Sequence, residues 1–384
     1  MQFSMRIISK NFIENEIKNT GFSTDYLLTG LNKHKFLSLK IQDLKAVEAN
    51  ILKQTALSCD CDCALHRHSI DCKVEKTDCV LSGSYSQLKE VSKKLKIQPF
   101  SLPKVGCEIL NMINCDKKQN NAKIMGILNL TQNSFSDGGE YFGFPNACKR
   151  ADELIEQGAD IIDIGAESTR PGSKAVESDF EIQKITPVLN YLKENYPKIP
   201  VSIDTRNAQT AVEMLNLGAQ IINDVSGLRY DKNMAKIAAD FGCKIVIMHS
   251  RSNPCDMDDY CNYKNLLDEV YNELQKCCDS ALNAGVKPEN IIIDPGFGFA
   301  KNYEQNIEML SRIEEFKSMG YELLAGVSRK RFLQRLAGVD TPKDADDISA
   351  ISGAYLALKG VNYLRVHNVE KTLCALKFAR AINV

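Results

Sequence analysis

The 384-residue sequence has no long hydrophobic run and no strong excess of charge. No apolar segment approaches the roughly 18 residues that a membrane-spanning helix needs. The opening residues, MQFSMRIISKNFIENE, lack the apolar core of a secretory signal. Lys and Arg number 48 against 49 Asp and Glu, for a net charge of −1. Electrostatics therefore offers no case for nucleic acid or an anionic membrane as a main partner, and we expect a cytoplasmic protein.

The composition is that of an ordinary globular protein, with 44% hydrophobic and 25% charged residues. The length suits one large domain plus a small one, because single cores stop growing at roughly 250 to 300 residues. Fourteen cysteines in a chain without an export signal are better interpreted as reduced thiols than as a disulfide framework. The polar stretch at 114–123, NCDKKQNNAK, has the composition of a linker, so we predict domains at 1–115 and 116–384.

After this linker the sequence alternates short apolar runs with helical segments. The runs, too short for helices and rich in β-branched residues, lie at 123–130, 161–166, 201–204, 221–225, 245–249, 291–296, 323–327 and 363–367. Segments with helical spacing include 147–159, 208–219, 306–320 and 370–382. Eight such units in about 260 residues predict a (β/α)₈ TIM barrel. The rival is a doubly wound open sheet, whose nucleotide-binding forms carry a Gly-rich turn after the first strand that is missing here.

The region before the linker predicts a small α+β domain of unknown role. We expect strands at 36–41 and 77–84, helices at 43–57 and 86–97, and an edge strand at 5–9.

A TIM barrel places its reactive groups at the carboxyl ends of its strands. The polar residues at those ends are Asn129, Asp163, Asp204, Asn223, Asp224, His249, Asp294, Ser328, Lys330, Arg365 and His367. One polar residue closing a strand is unremarkable, but burying so many without a function would cost several kcal/mol of desolvation. We interpret this set as an active site.

The chemistry of these residues narrows the ligand. Asp204, Asn223 and Asp294 offer paired donors and acceptors that suit a flat heterocycle with amino, ring NH and carbonyl edges. Lys330, Arg365 and His367 supply positive charge and donors that suit a phosphate or diphosphate. Asn129 is a neutral oxygen ligand that could help to hold Mg²⁺ near phosphates. Long polar loops follow the first two strands, at 129–141 and 167–179, and could close over a substrate.

Seven motifs in this order resemble dihydropteroate synthase. They read ILNLTQNSFSDGG, DIGAESTRPG, SIDTRNAQTA, INDVSGL, IDPGFGFAK, GVSRKRF and RVHNV, and the resemblance covers residues 123–384. It implies joining 6-hydroxymethyl-7,8-dihydropterin diphosphate to 4-aminobenzoate, with Mg²⁺ as cofactor, to give 7,8-dihydropteroate and diphosphate. It also implies a homodimer.

The resemblance assigns roles to individual residues. The pterin pocket maps onto Asp204, Asn223, Met248, Asp294, Gly326 and Lys330. The diphosphate site maps onto Asn129, Arg365 and His367, with Asn129 also a metal ligand. The aminobenzoate contacts map onto Phe135, Thr169, Pro171, Phe299 and Arg331. The expected catalytic set is Asp204, Asp294, Lys330, Arg170 and Asp137, the last two from the loops that close the site.

The mechanism implied is loss of diphosphate to leave a pterin methylene cation, followed by attack of the aminobenzoate amine. The first loop departs from the family pattern, since Gln132 and Asn133 stand where the family usually has Pro and Asp. Two other functions remain open: a methyltetrahydrofolate to corrinoid methyltransferase, which would need no diphosphate site, and a non-catalytic pterin-binding protein.

A second cluster, SCDCDCALHRHSIDC at 58–72, looks at first like a metal site. Structural zinc sites prefer C-x₂-C pairs, whereas Cys59, Cys61 and Cys63 alternate as on one face of a strand. We expect these thiols to belong to a half-buried sheet rather than to a metal cage.

Overall fold

The computed structural model describes residues 4–115, 121–130, 143–166, 177–251 and 260–382. The chain divides into two compact units, Met1–Lys118 and Gln119–Val384. Among the described residues, no helix combines the length and the apolar character needed to cross a membrane.

The first unit is a three-stranded antiparallel sheet with helices, as expected for a small α+β domain. The strands are β1 Phe36–Lys45, β2 Asp62–Leu65 and β3 Lys76–Ser84, in the order β1-β3-β2. The helices are α1 Ile13–Asn19, α2 Leu27–His34, α3 Ala46–Leu57, α4 Tyr85–Leu95 and α5 Leu102–Cys115. Ser84 caps α4 in a reciprocal box with Gln87, which satisfies two otherwise unpaired N–H groups of the first turn.

Three details of this unit differ from the expectation. Residues 5–9 form neither strand nor helix, so the expected edge strand is wrong. The expected helix at 43–57 begins only at Ala46, because β1 continues to Lys45 and pairs there with β3. The helices α1, α2 and α5 were not anticipated, and β2 lies in the cysteine-rich stretch that was expected to belong to a half-buried sheet but was given no strand bounds.

The second unit is a closed barrel of eight parallel strands, and it excludes the doubly wound sheet. The strands are β4 Lys123–Asn129, β5 Ile161–Gly165, β6 Val201–Asp204, β7 Ile221–Asp224, β8 Lys244–Met248, β9 Ile291–Asp294, β10 Glu322–Ala325 and β11 Tyr363–Val366. Each pairs with the next in parallel, and β11 closes the barrel on β4. All eight were anticipated, because strands buried on both faces give continuous apolar runs.

Helices lie between the strands and after the last one. They are α6 Gly143–Glu156, α7 Ser178–Asn195, α8 Ala208–Asn216, α9 Met234–Phe241, α10 Leu266–Asn283, α11 Tyr303–Ser311, α12 Arg331–Ala337, α13 Asp346–Leu358 and α14 Val369–Ile382. The expected helix at 306–320 is two pieces, since α11 ends before Arg312 and a 3₁₀ helix, Ile313–Met319, follows. Gly242 and Gly338 end α9 and α12 in the left-handed conformation, which glycine adopts without a Cβ penalty.

The cysteine-rich stretch lies in the core of the first unit. Cys61 and Cys63 are buried with Cys79 from the neighbouring strand, whereas Cys59 is only half-buried. Only Cys63 of the three alternating cysteines lies within β2. Among the described residues, no group of three or more His, Cys, Asp or Glu side chains is arranged to hold a metal. Cys61, Cys63 and Cys79 pack as small apolar residues in this core.

Candidate active site

Six polar side chains gather at the carboxyl ends of the barrel strands. They are Asp163 on β5, Asp204 on β6, Asn223 on β7, Asp294 on β9, Lys330 after β10 and Arg365 on β11. Asp163, Asp204, Asn223 and Asp294 are all less than 7% exposed. The parallel, closed arrangement brings strand ends together that are far apart in sequence.

Arg365 connects two of the buried carboxylates. Its Nε donates to Asp163 Oδ2 and its terminal nitrogen to Asp204 Oδ2, both at 2.6 Å. Burial opposes the charge of this guanidinium, yet Asp163 and Asp204 raise its pKa above the usual value. Arg365 is therefore a permanent cation inside the pocket. Two of its N–H groups already serve carboxylates, so contact with a diphosphate would have to use its remaining donors.

Asp163 is the member of this set for which the sequence analysis predicted no role. It is fully buried, and its Oδ2 also accepts a hydrogen bond from Asn223 Nδ2 at 3.1 Å. Its Oδ1 has no hydrogen-bond partner within the described part of the chain. The available signal was a carboxylate in the middle of the apolar run IIDIG, because an ionised group is costly there without a partner.

Asp294 lies at the end of β9 and turns towards its own loop. Its Oδ1 accepts a hydrogen bond of 2.8 Å from the backbone N–H of Gly296. Burial raises the pKa of Asp294 to about 6, while this hydrogen bond and the charges of Lys330, Lys301 and Arg365 oppose the rise. The carboxylate is ionised at neutral pH but close to its titration range.

Lys330 is the second cation of the pocket. Burial and the neighbouring Arg365 lower the pKa of Lys330 to about 8, and Asp294 and Asp204 oppose that shift. Its ammonium lies 4.1 Å from the centre of the Phe299 ring, within cation–π range. Gly298 allows this approach, because an added Cβ would lie only 3.0 Å from Lys330 Cδ.

The apolar wall of the pocket is formed by Met248 and Phe299, with Val225 packed against them. At Gly326 an added Cβ would have ordinary contacts, 3.8 Å from Arg365 Cβ. The pocket thus combines one apolar wall with carboxylates, an amide and two cations. This combination suits a flat, polar ring.

The expected diphosphate residues occupy different environments. Asn129 ends β4 and is half-buried. The ring of His367 contacts Ser328 Oγ through Nδ1 at 3.0 Å. Burial, with Arg329, Arg365 and Lys330 nearby, lowers the pKa of His367 to about 3. These surroundings favour the neutral ring, which offers a hydrogen bond, and the expected role of His367 at the diphosphate stays a prediction.

Of the remaining expected residues, the structure describes Arg331. Arg331 is exposed at the first turn of α12. Several expectations lie outside the described residues: Gln132, Asn133, Phe135, Asp137, Thr169, Arg170 and Pro171. The roles of these residues stay predictions.

Fold and site together define a (β/α)₈-barrel enzyme with a buried polar pocket for a small substrate. The family described as "Pterin binding enzyme" matches residues 125–367. A dihydropteroate synthase of Clostridium beijerinckii is 41% identical over 259 residues, which cover 67% of this chain and 93% of the relative. The chain therefore belongs to the pterin-binding enzymes and, within them, to the dihydropteroate synthase family.

The fold of this chain is also similar to that of a solved dihydropteroate synthase structure. The dihydropteroate synthase of Clostridium difficile, crystallised in the presence of pteroic acid, superimposes with a TM-score of 0.65 and 40% identity. The match covers 69% of this chain and 98% of that one. The similarity therefore spans the whole of that synthase.

One relative extends the similarity beyond the barrel. A probable bifunctional folylpolyglutamate synthase/dihydropteroate synthase of Haloferax volcanii is 33% identical over 357 residues. The alignment covers 87% of this chain but only 42% of that protein. Because the barrel unit is about two thirds of the chain, this alignment also includes residues of the first unit.

Proposed function

We propose that this chain is a dihydropteroate synthase, which condenses 6-hydroxymethyl-7,8-dihydropterin diphosphate with 4-aminobenzoate to give 7,8-dihydropteroate and diphosphate. The observation that carries the proposal is the group of buried acceptors, Asp204, Asn223 and Asp294, beside the cations Lys330 and Arg365 at one end of a barrel of this family. Pteroic acid, present with the Clostridium difficile relative, is itself a pterin joined to 4-aminobenzoate.

The pterin fits the inner part of the pocket. Its amino and ring N–H groups can donate to the carboxylates of Asp204 and Asp294, and its carbonyl and ring nitrogens can accept from Asn223 and Lys330. Met248 contributes the apolar wall, and Gly326 leaves room for the flat ring. A ligand without N–H donors at this site would leave the buried carboxylates less well compensated than a ring rich in such donors.

The chemistry follows from charge. As diphosphate leaves, positive charge develops on the pterin methylene and spreads into the ring, where the carboxylates of Asp204 and Asp294 stabilise it. The cations of Lys330 and Arg365 and the neutral donor of His367 face the departing anion. No covalent bond to the protein is required, since the aminobenzoate amine attacks this cation directly and the new ammonium then releases one proton to solvent or to the departed diphosphate.

The second substrate belongs at the mouth of the barrel. We assign it to Phe299 and Arg331 among the described residues, and to Phe135, Thr169 and Pro171 by family resemblance. Phe299 is well placed for this role, because its ring also lies next to Lys330. Asp137 and Arg170 are proposed to help the two long loops to exclude water, which would otherwise capture the cation.

Mg²⁺ is proposed as the cofactor and Asn129 as its protein ligand. Within the described residues no cluster of three or more His, Cys, Asp or Glu forms a cage for a metal. A single protein ligand such as the Asn129 amide oxygen fits Mg²⁺, which keeps several waters and binds largely through substrate phosphates. When bound, the ion would neutralise charge on the departing diphosphate.

A homodimer and a cytoplasmic location complete the proposal. Helices α13 and α14 expose Ile351 and Phe378 by more than 60% each, and such apolar side chains suit an interface between two copies. Light scattering should then give about twice the chain mass of 42.9 kDa.

The cytoplasmic location is supported by the cysteines. Those that the structure describes are free thiols, as a reducing compartment favours.

The decisive experiment supplies pterin diphosphate, 4-aminobenzoate and Mg²⁺ and measures both diphosphate and dihydropteroate. We expect the two products in equal amounts and no turnover when either organic substrate is omitted. Asp204→Asn serves as the inactive control, because the amide cannot stabilise a cation. Saturating substrates without diphosphate release would reject the proposed function.

A further inference from the structure

Lys301 is a buried cation behind the pocket, at the end of the loop that follows β9. It is 7% exposed, and its ammonium has three partners. Nζ lies 3.0 Å from the Gly296 carbonyl oxygen, 2.9 Å from the Phe299 carbonyl oxygen and 3.0 Å from His249 Nδ1. An ammonium has three N–H donors, so all of them are satisfied. Two of these partners belong to the loop itself.

The contact with Lys301 determines which ring nitrogen of His249 carries the proton. An ammonium can only donate, so Nδ1 of His249 must be the acceptor and Nε2 must carry the proton. Nε2 then donates to Glu273 Oε2 at 3.1 Å. Burial and the charge of Lys301 lower the pKa of His249 to about 3, which agrees with a neutral ring.

Glu273 anchors this chain of hydrogen bonds to helix α10. Its Oε1 accepts two hydrogen bonds from Arg251, at 3.0 Å from Nε and 2.6 Å from the terminal nitrogen. Burial opposes the charge of Glu273, but hydrogen bonds from His249 and Arg251 hold its pKa below the usual value. A continuous series of contacts therefore runs from α10 through His249 and Lys301 into the loop after β9.

The same loop carries pocket residues at both of its ends. Asp294 begins it, and Phe299 lies two residues before Lys301. The loop lies close against the backbone after β8, because an added Cβ at Gly296 would lie 2.1 Å from the His249 carbonyl oxygen. Asn306 also holds this loop, because its Oδ1 accepts a hydrogen bond of 2.7 Å from the Gly298 N–H. The ammonium of Lys301 thus fills the interior of the turn.

We propose that Lys301 is a positioning residue that holds Asp294 at the distance required for pterin binding, and Phe299 beside it at the entrance for 4-aminobenzoate, by donating to the Gly296 and Phe299 carbonyls. This inference rests on the proposed function, since it concerns the same pocket. Lys301 itself does not touch the substrate. Its effect is exerted through the loop and through its positive charge near Asp294.

The test is the affinity of folded variants for 6-hydroxymethyl-7,8-dihydropterin diphosphate with Mg²⁺. Lys301→Met keeps an unbranched side chain that is one atom shorter and removes the three donors. We expect its dissociation constant to rise by about tenfold or more, because small displacements of positioned groups reduce binding and rate strongly. Calorimetry on protein that retains its circular dichroism spectrum separates this effect from loss of folded protein.

Lys244→Met is the matched control. Lys244 is the first residue of β8, at the end of the strand opposite to His249. The ammonium of Lys244 contacts Glu322 and Tyr363. Its removal should lower the melting temperature while leaving the dissociation constant within about twofold of the wild-type value. A Lys301→Met variant that also stays within twofold would overturn the inference.

A second pair of variants covers the case in which Lys301→Met does not fold. His249→Asn places an amide oxygen near the position of Nδ1 and keeps an acceptor for Lys301, whereas His249→Leu removes it. We expect affinity to be largely retained in the first variant and reduced about tenfold in the second. Equal affinities would overturn the inference. Wild-type protein that fails to bind the pterin diphosphate would reject the proposed function and this inference together, whereas normal wild-type turnover with unaffected variants would reject the inference alone.

The pH profile gives a readout that a purely structural role would not move. The charges near Asp294 are Lys330, Lys301 and Arg365, and those near Lys301 include Arg251 and Glu273. Removal of the Lys301 charge takes away one of the groups that favour ionised Asp294. The acidic limb of kcat/KM should therefore move to higher pH in Lys301→Met, and an unchanged limb would contradict the positioning of this charge.

Discussion

At the residue scale, the pocket depends on pairing buried charges from distant parts of the chain. Asp163 and Arg365 are 202 residues apart in sequence yet form a hydrogen bond of 2.6 Å. Both residues were predicted to lie at strand ends, but no local sequence pattern shows which carboxylate will pair with a given cation. For this reason the expected role of Arg365 at the diphosphate was incomplete, and Asp163 was left without a role.

Asp163→Asn tests the importance of this pair. The amide removes the charge that compensates Arg365 and leaves the guanidinium with Asp204 alone. Breaking a buried ion pair costs about 3 to 5 kcal/mol, so we expect a lower melting temperature and a fall in kcat/KM of about 10²-fold. Asp240→Asn is the control, because the Lys236–Asp240 pair is largely exposed and should contribute less than about 1 kcal/mol. Wild-type kinetics in Asp163→Asn would show that the pair is dispensable.

The pH dependence of kcat/KM follows from the buried groups. Burial raises the pKa of Asp294 to about 6, so the required carboxylate is lost as the pH falls through that value. Burial lowers the pKa of Lys301 to about 7 and that of Lys330 to about 8, so positive charge is lost as the pH rises through this range. We predict a bell-shaped profile with its maximum near neutrality. A flat profile between pH 5 and pH 9 would contradict these assignments.

At the scale of the elements, the barrel strands were predictable and several helices were not. Strands buried on both faces are continuous apolar runs, which short windows of sequence reveal. Helix α5 was missed because it contains Gly106, a residue that lowers helix propensity. In the structure an added Cβ there would lie 2.8 Å from the Ser92 carbonyl oxygen, so the glycine permits close packing on α4. That reason exists only in the folded unit.

The loop after β9 provides a test at this scale. Gly296 and Gly242 both have positive φ angles, of 73° and 63°, but only Gly296 has close neighbours. Gly242→Ala should cost about 1 to 2 kcal/mol from the left-handed conformation alone. Gly296→Ala should cost at least about 1 kcal/mol more from steric overlap and should also reduce pterin binding. Chemical denaturation with calorimetry would measure both effects, and equal costs would contradict the described packing of this loop.

At the scale of the whole molecule, the chain contains two units with separate hydrophobic cores. The sequence indicated two domains through a change of pattern and a polar linker. No sequence motif predicted a chemical function for the first unit. Its described residues form a packed α+β core with buried cysteines. The Haloferax volcanii relative shares part of this unit, so it is not peculiar to this chain.

Leu88→Ala tests whether the two cores are energetically separate. Leu88 is fully buried in the core of the first unit, and its truncation should cost that unit about 2 to 5 kcal/mol. We expect faster hydrogen exchange in residues 36–115 and an unchanged rate of product formation by the barrel. A matching loss of protection in the barrel strands would show that the two units unfold together.

The central claim is that the polar pocket at the barrel mouth condenses a pterin diphosphate with 4-aminobenzoate. The most direct test is a single assay on the full-length protein, with both substrates and Mg²⁺, that quantifies dihydropteroate and diphosphate over time. We expect equimolar formation of both products by the wild-type protein and their loss in Asp204→Asn. Binding of the pterin diphosphate without any release of diphosphate, at saturating 4-aminobenzoate, would contradict it and would indicate a pterin-binding protein without synthase activity.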